Sequence, residues 1–292
     1  MTLLLATETP TAVFPKSAAI DTIVEFALAE DIGRGDITTE ATVPADRQAT
    51  AEILQKAPGV LCGLPLVEAV FAHLDPHVTV RRLAEEGSYG DSRVVASIEG
   101  PAQAILSGER TALNFVQRLS GIATASHKAA ELIKHTNARV IDTRKTTPGL
   151  RVLEKYAVRV GGAGNHRAGL DDGFLIKENH IRAAGGITAA VHAAQNRTAP
   201  GQVVEVEVTI LDELEEALQA GATLILLDNF GTAGLREAVT ANNRRARLEA
   251  SGGITLANLR DVAETGVDFI SLGALTHSAG VLDFSLDLEV TP

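Results

Sequence analysis

The sequence predicts an α/β fold, namely an incomplete, open α/β barrel of about six or seven strands with an N-terminal α+β sandwich domain. From Arg139 onward, apolar runs of strand length alternate with amphipathic helices, which is typical of βαβ units in a parallel sheet. The first hundred residues instead mix alternating strands with helices. Six runs are convincing strands, fewer than the eight of a closed barrel. A doubly wound sheet is the alternative.

The N-terminal elements are predicted from their periodicity. Two segments have helical spacing and two alternate like strands, namely residues 19–31 and 64–74 for the helices and 48–57 and 92–101 for the strands. A long helical region follows from about residue 102 to 135, and we expect a break only at Ser120 and Gly121.

The barrel elements follow in regular alternation. The predicted strands are residues 140–141, 174–176, 203–208, 224–227, 247–250 and 269–272, and the clearest helices are residues 211–221 and 255–266. A length of 292 residues suggests two domains, or one large barrel with an appendage. We expect an N-terminal domain over residues 1–120, joined by the tail 281–292, and a catalytic barrel over 121–280.

Composition excludes several classes of function. With a net charge of −11, the chain as a whole lacks the positive charge that binds nucleic acid or an anionic membrane. Cys62 is the only cysteine of the sequence, so an intrachain disulfide and a cysteine-based zinc site are excluded. The first ten residues, MTLLLATETP, lack the basic region of a signal peptide, and no stretch approaches the roughly 20 apolar residues of a membrane span. We therefore expect a cytoplasmic protein.

A positive segment interrupts this acidic chain. Residues 139–182 contain nine Lys and Arg against five Asp and Glu, an excess of four positive charges. Arg144 and Lys145 are adjacent at the end of a predicted strand, and Pro148 and Gly149 prevent a helix from beginning on them. Because neighbouring cations repel each other, we expect a small anion to bind here. Scattered surface charge is the alternative.

Glycine-containing turns end the last two predicted strands. They are Ser251, Gly252 and Gly253 after the fifth strand and Leu272, Gly273 and Ala274 after the sixth. Chemistry in parallel α/β folds collects at the carboxyl ends of the strands. Glycine turns that enter helices expose backbone N–H groups and the positive end of a helix dipole. Two such turns at consecutive strand ends therefore predict a phosphate site.

Carboxylates mark the middle strands. We expect Glu207 and Asp228 to converge from neighbouring strands, where they suit ribose hydroxyls or a magnesium ion that keeps most of its waters. Because side chains alternate along a strand, we expect only one of Glu205 and Glu207 to point into the barrel mouth. We choose Glu207, which is nearer the carboxyl end.

A glycine-rich loop carries Asn165, His166 and Arg167. A lone histidine is usually a satisfied core or surface residue. Beside Arg167, and opposite Arg144 and Lys145, His166 is expected to contact an anion. Guanidinium groups match carboxylates in shape and stay charged, so this cluster predicts a substrate with carboxylates as well as a phosphorylated one.

The order and spacing of seven motifs resemble those of the quinolinate phosphoribosyltransferase family, also called carboxylating nicotinate-nucleotide pyrophosphorylases. The motifs are DTRKTTPGLR, GGAGNHR, GFLIKENHI, EVEV, LLDNF, SGGI and LGALTHS. Two further stretches, EDIGRGDITT and GERTALNFVQRLSGIAT, resemble the N-terminal half of the family. The resemblance runs from about Ile20 to the DFSLDL tail. Ala163 departs from a run that is often all glycine.

The resemblance implies a reaction and a metal. A member of this family transfers phosphoribosyl from 5-phosphoribosyl 1-pyrophosphate to quinolinate, which is pyridine-2,3-dicarboxylate. Pyrophosphate and CO2 leave, and nicotinate mononucleotide is formed for de novo NAD biosynthesis. The implied cofactor is Mg²⁺, whereas pyridoxal, thiamine and redox cofactors are not required.

The resemblance also implies a role for each site residue. The residues that clamp the carboxylates and the pyrophosphate are Arg144, Lys145, His166 and Arg167. Lys177 lies near the reacting centre, and Glu207 and Asp228 face the ribose hydroxyls and magnesium. The 5-phosphate site consists of Ser251, Gly252, Gly253 and Gly273, with Thr143, Leu272 and Ala274 completing the substrate contacts. We expect the catalytic residues to be Lys145, Lys177, Glu207 and Asp228.

Arg110 matches an arginine that members of the family contribute to the active site of a partner subunit. The resemblance therefore implies a homodimer with shared active sites, which can assemble further. The residues alone suggest only a helix-surface ion pair at Arg110, of little value to stability.

Three alternatives stay open. The first is a close paralogue, either a molybdenum-transport-associated protein or a nicotinate phosphoribosyltransferase that needs no decarboxylation. The second is a Schiff-base aldolase that uses Lys177. The third is a phosphosugar sensor without catalytic activity, since fold does not determine function.

Overall fold

The computed structural model describes residues 12–15 and 17–290, which form two compact units. The first unit comprises residues 12–127, 147–161 and 279–290, and the second comprises residues 128–146 and 162–278. The stretch MTLLLATETP, for which we predicted no signal peptide, lies outside the described residues. No helix in the described part of the chain has both the length and the apolar character needed to cross a membrane.

The helices and strands are, in chain order, α1 (Ala18–Ile32), α2 (Ile37–Thr42), β1 (Gln48–Gln55), β2 (Gly59–Val60), α3 (Leu64–Leu74), β3 (Thr79–Arg82), β4 (Tyr89–Gly90), β5 (Arg93–Pro101), α4 (Ala102–Ile133), β6 (Arg139–Ile141), α5 (Arg151–Val160), β7 (Phe174–Ile176), α6 (Glu178–Ala184), α7 (Ile187–Gln195), β8 (Val204–Val208), α8 (Leu211–Gln219), β9 (Leu224–Asp228), α9 (Thr232–Asn242), β10 (Arg247–Ser251), α10 (Leu259–Ala263), β11 (Phe269–Ser271), α11 (Ala274–His277) and β12 (Phe284–Val290).

The first unit is built on an antiparallel sheet with the strand order β12-β1-β5-β3. Strand β1 alternates between exposed and buried residues, as expected for a strand with one face on a core, and Ala49, Ala51 and Ile53 form its buried face. The tail returns to this sheet, because β12 pairs with β1 from Ala49 opposite Val290 onward.

Helix α4 is continuous over 32 residues, so the predicted break at Ser120 and Gly121 is wrong. These two small residues serve close packing instead. The Ser120 hydroxyl accepts the Cys62 N–H and donates to the Cys62 carbonyl. A Cβ on Gly121 would collide with the backbone of Gly280, so the glycine lets the chain pass directly against the helix.

The second unit contains six parallel strands in the order β6-β11-β10-β9-β8-β7. Strand β11 pairs with β6, so the sheet curls back on its first strand, whereas β6 and β7 are not neighbours. At this gap Gly164 makes an isolated parallel bridge to Ile141. The prediction of an open α/β barrel with a separate N-terminal sheet is confirmed.

Candidate active site

The predicted site residues, except Arg110, all belong to the barrel unit. His166 and Arg167 lie on the loop between α5 and β7. The others lie at or just after the carboxyl ends of the strands, where parallel α/β folds place their active sites. Arg110 is exposed on α4 in the first unit.

A compact turn follows β6. The Lys145 N–H donates to the Thr143 hydroxyl over 3.0 Å, and the Lys145 carbonyl accepts the Thr276 hydroxyl over 2.6 Å. A Cβ on Gly273 would lie 3.1 Å from the Lys145 side chain. The exposed lysine therefore passes over the Gly273 turn, within reach of an anion bound there.

Asp142 is a central residue of the site that we did not predict. It is fully buried, its Oδ1 accepts the His166 N–H over 2.8 Å, and its Oδ2 accepts the Asn165 side-chain amide over 2.7 Å. The loop of Asn165, His166 and Arg167 is thereby held against the end of β6. In the sequence, Asp142 could have been found as an acid that directly follows a short apolar run and precedes Thr143.

Arg167 and Arg144 influence each other. Arg167 is 8 % exposed, and one of its terminal nitrogens donates to the Gly173 carbonyl over 2.9 Å. Burial lowers the pKa of Arg167, and the charge of Arg144 lowers it further. Two guanidinium groups in a partly buried site repel each other, so the arrangement favours a bound anion between them.

His166 does not match its predicted role as an anion contact, because both ring nitrogens have protein partners. Nδ1 accepts the Arg167 N–H over 2.7 Å, and Nε2 lies 2.9 Å from Oε2 of Glu205. Since Nδ1 accepts, the ring proton is assigned to Nε2, which donates to Glu205. In this arrangement His166 orders the loop that carries Arg167.

The expectation that only one of Glu205 and Glu207 points inward is wrong. Side chains on a strand alternate between its two faces, so residues two apart, such as Glu205 and Glu207, share a face. Glu205 is 1 % exposed and meets His166, whereas Glu207 lies one layer nearer the mouth and forms an ion pair with Lys177.

Glu249 is a second residue that we missed, and it lies beside Glu205. Ligand-type atoms of His166, Glu205 and Glu249 all lie within 4.8 Å of one another. A histidine nitrogen that carries a proton cannot coordinate a metal, so the assigned tautomer makes this a hydrogen-bonded network and not a metal centre. The signal for Glu249 was a carboxylate inside an otherwise buried strand.

Burial controls the charge of the two carboxyls. It raises the pKa of Glu205 to about 7. Burial, and then the charge of Glu205, raise the pKa of Glu249 well above its usual value. Ionising both of two adjacent buried carboxyls costs much free energy, so the pair retains a proton near neutral pH.

Lys177, Glu207 and Asp228 form the charged part of the mouth. Lys177 Nζ lies 2.5 Å from Oε2 of Glu207, and the Asn229 side-chain amide donates to Asp228 over 2.7 Å. Burial raises the pKa of Asp228, and the charge of Glu207 raises it further. Glu207 and Asp228 thus approach each other from the neighbouring strands β8 and β9, and Lys177 is paired with Glu207.

The glycine turns differ from the prediction in one respect. Gly252 and Gly253 have φ of +94° and +63°, but the helix that follows them begins only at Leu259. The turn therefore does not enter a helix directly, and α10 is shorter than predicted. Gly273 does precede a helix, the single turn α11.

Leu272 does not fit its predicted role in the phosphate site. Its side chain is 3 % exposed, and its N–H donates to the Ile141 carbonyl over 2.9 Å. It is a core residue that joins β11 to β6. After this strand Gly273 is half-buried and Ala274 is exposed.

Two family models match the chain. The model described as "Quinolinate phosphoribosyl transferase, C-terminal domain" matches residues 122–287, and its N-terminal counterpart matches residues 36–120. A Synechocystis sp. protein named "Probable nicotinate-nucleotide pyrophosphorylase (carboxylating)" is 44 % identical over 292 residues, which cover 99 % of each chain.

Solved structures are similar over nearly the whole length. The nicotinate-nucleotide pyrophosphorylase from Francisella tularensis is 42 % identical, covers 93 % of this chain and 96 % of its own, and has a TM-score of 0.89. NadC from Streptococcus pyogenes is 38 % identical, covers 96 % of this chain and 100 % of its own, and has a TM-score of 0.92.

Proposed function

The chain belongs to the quinolinate phosphoribosyltransferase family, and we propose that its barrel mouth performs the decarboxylating transfer of phosphoribosyl to quinolinate. The enzyme joins quinolinate to 5-phosphoribosyl 1-pyrophosphate and yields nicotinate mononucleotide, pyrophosphate and CO2. The proposed roles rest on one observation. Two neighbouring guanidiniums, Arg144 and Arg167, and two neighbouring acids, Glu207 and Asp228, belong to the same unit.

Arg144 and Arg167 bind the two carboxylates of quinolinate. Guanidinium groups bind carboxylates through charge-assisted hydrogen bonds, and a dianion cancels the repulsion between the two cations. Lys145, which passes over Gly273, faces the phosphate groups of the other substrate. Departure of pyrophosphate leaves an oxocarbenium-like sugar, so the rate depends chiefly on positioning and on charge stabilisation.

Glu207 and Asp228 face the ribose. The ion pair with Lys177 holds Glu207 in place, and the Asn229 amide holds Asp228. Carboxylates accept hydrogen bonds from sugar hydroxyls, and their negative charge stabilises the developing positive charge on the ring.

Glu207 and Asp228 also fit a magnesium ion. Mg²⁺ is usually held by one or two carboxylates together with substrate phosphates and water. The two acids are close enough for the charge of Glu207 to raise the pKa of Asp228, a repulsion that a cation would relieve. When bound, the metal neutralises charge on the pyrophosphate.

Decarboxylation requires no further group from the chain. Once the ring nitrogen is joined to the sugar, the pyridinium carries a positive charge. This charge stabilises the carbanion that remains when CO2 leaves, so the substrate acts as its own electron sink. The carbanion then takes a proton from water, which completes nicotinate mononucleotide.

The resemblance of Arg110 to the arginine that family members contribute to a partner subunit supports a homodimer with shared sites. It is exposed on α4, whereas the other site residues lie in the barrel unit of the chain. We assign Arg110 to the active site of a partner subunit. The cytoplasmic location expected from the sequence stays a prediction.

The ion pair argues against the alternative in which Lys177 forms a Schiff base. A Schiff-base lysine attacks a carbonyl through a free nitrogen lone pair, whereas Nζ of Lys177 is already engaged by Glu207 over 2.5 Å. Trapping with borohydride and a carbonyl substrate would reveal such an amine.

One assay tests the proposed function. Purified protein, quinolinate, 5-phosphoribosyl 1-pyrophosphate and Mg²⁺ are combined, and CO2 and pyrophosphate are measured together. We expect equal amounts of both products. Pyrophosphate release with nicotinate but without CO2 would indicate a nicotinate phosphoribosyltransferase, and release of neither product would refute the proposal.

A further inference from the structure

A buried hydrogen-bonded pair, Asp142 and Asn165, lies behind the carboxylate-binding residues. Asp142 is 0 % exposed and Asn165 is 6 % exposed. Oδ2 of Asp142 accepts the Asn165 side-chain amide over 2.7 Å, and Oδ1 accepts the His166 N–H over 2.8 Å. A single carboxylate thus binds a side chain and the backbone of the same loop.

Backbone contacts continue this attachment on both sides. The Asp142 N–H donates to the Gly164 carbonyl over 3.1 Å, and the Gly164 N–H donates to the Val140 carbonyl over 2.8 Å. The loop therefore lies along the free edge of β6, at the gap where β7 does not pair with it.

Asp142 and Asn165 are each two residues from an arginine of the site. Arg144 follows Asp142, and Arg167 follows Asn165. Because only one residue separates each member of the pair from its arginine, the bond between Asp142 and Asn165 joins the two backbone segments that carry these arginines. The spacing of two cations determines which dianion they fit.

We propose that Asp142 and Asn165 are positioning residues that set the distance between Arg144 and Arg167 and thereby the selectivity for a vicinal dicarboxylate. This inference rests on the proposed function, since it concerns how the same site recognises quinolinate. Neither residue is placed in contact with substrate.

The alternative is that the pair only stabilises the fold. A purely structural role would lower stability and affect both substrates alike. A positioning role instead affects the KM for quinolinate and leaves the KM for 5-phosphoribosyl 1-pyrophosphate nearly unchanged. The residues assigned to the ribose and the 5-phosphate of that substrate lie at the ends of β8 to β11 and not on the loop of Asn165.

The test exchanges the two side chains. Asn165→Asp places a second carboxylate against Asp142, which breaks the bond and adds repulsion. We expect the KM for quinolinate to rise about tenfold or more, as for loss of a hydrogen bond to a charged group, with the other KM within about threefold. Adding Asp142→Asn restores one carboxylate and one amide in exchanged places, and we expect the KM for quinolinate to return to within about threefold of the wild-type value.

Asn242→Asp is the matched control. Asn242 is also buried in the barrel unit, and its amide bonds to the backbone of Ala246. The same substitution there is expected to lower stability without separating the two KM values. Equal increases of both KM values in Asn165→Asp, or no recovery in a folded double variant, would overturn the proposal.

Two further outcomes are decisive. If Asn165→Asp does not fold, the double variant alone decides: a near wild-type KM for quinolinate supports the proposal, and a raised one contradicts it. If the wild-type protein releases no CO2 from quinolinate, the proposed function fails separately. The pair itself is then read from calorimetric titration with quinolinate alone, whose affinity Asn165→Asp should lower and the exchange should restore; an unchanged affinity in Asn165→Asp would overturn the positioning role.

Discussion

The carboxyl groups of Glu205 and Glu249 lie side by side in the interior of the barrel, on β8 and β10 with β9 between them. Glu205 is bonded to His166, and Glu249 is 0 % exposed. Burial raises the pKa of both groups. The loop that carries Arg167 therefore rests on a pair of acids that holds a proton at neutral pH.

The first prediction concerns stability and pH. The folded-state pKa of both acids is raised, so their contribution to stability is complete below the ordinary glutamate pKa of about 4.3. It is lost as the pH rises towards the folded-state pKa, which is about 7 for Glu205. Between these values each group lowers the free energy of unfolding by up to about 1.4 kcal/mol per pH unit. Glu249→Gln removes one such group and should flatten this decline in urea unfolding from pH 5 to 7. An unchanged slope would show that Glu249 is not buried as a neutral acid.

The second prediction concerns the guanidiniums. Arg144→Ala and Arg167→Ala should weaken quinolinate binding far more than binding of 5-phosphoribosyl 1-pyrophosphate. Each charged hydrogen bond is worth about 1.5–3 kcal/mol, or roughly ten- to a hundredfold in affinity. Calorimetric titration measures both affinities.

A matched control is Arg182→Ala. Arg182 is exposed and forms an ion pair with Glu178 within one helix, which is worth little. It should leave both affinities unchanged. Unaltered quinolinate affinity in both active-site variants would remove Arg144 and Arg167 from the carboxylate site.

The third prediction concerns the turn after β10. Gly252 and Gly253 both have positive φ, but a Cβ on Gly252 would also lie 2.9 Å from the Asn229 backbone nitrogen, whereas Gly253 has open space. Gly252→Ala should therefore lower stability by about 1–3 kcal/mol and raise the KM for 5-phosphoribosyl 1-pyrophosphate. Gly253→Ala should cost less, because only backbone strain applies. Equal effects of the two substitutions in thermal unfolding would contradict the role of the Asn229 contact.

The fourth prediction concerns magnesium. Asp228→Ala should lower turnover and weaken its dependence on Mg²⁺, because one of the two carboxylates beside the pyrophosphate is lost. Asp228 is only partly buried, so the melting temperature should change little. Full activity across a magnesium titration would refute the assignment of Asp228.

The fifth prediction concerns assembly. Arg110→Ala and Lys145→Ala should each be inactive alone, and a mixture should regain activity if Arg110 completes the site of a partner subunit. After random exchange, half of the dimers contain one intact site, so roughly a quarter of the wild-type activity should return. No recovery after verified subunit exchange would show that each chain carries a self-contained site, and the assignment of the reaction would be unaffected.

Much of the fold followed from local patterns in the sequence. The six barrel strands lie close to their predicted positions because a run of apolar residues between helices has few other solutions. The strand-end residues Arg144, Lys177 and Asp228 followed from the rule that parallel strands end at one edge. The seven motifs then identified the family, and the family comparisons confirm it.

Other features depend on contacts between distant segments. The sequence did not predict the roles of Asp142 and Glu249 or the partners of His166. These depend on contacts among β6, β8, β10 and the loop of His166, which are far apart in sequence. The close passage of Gly280 against Gly121 on α4 is likewise a contact between segments far apart in sequence.

The sequence by itself determined which residues stand at the mouth of the barrel, since strand periodicity and glycine turns are local properties. Only the tertiary structure decided which of them are available to a ligand. His166 and Leu272 have their polar groups engaged within the protein, whereas Lys145 is exposed. The physical reason is that availability depends on burial and on the partners supplied by other strands, and neither is encoded in the local sequence around a residue.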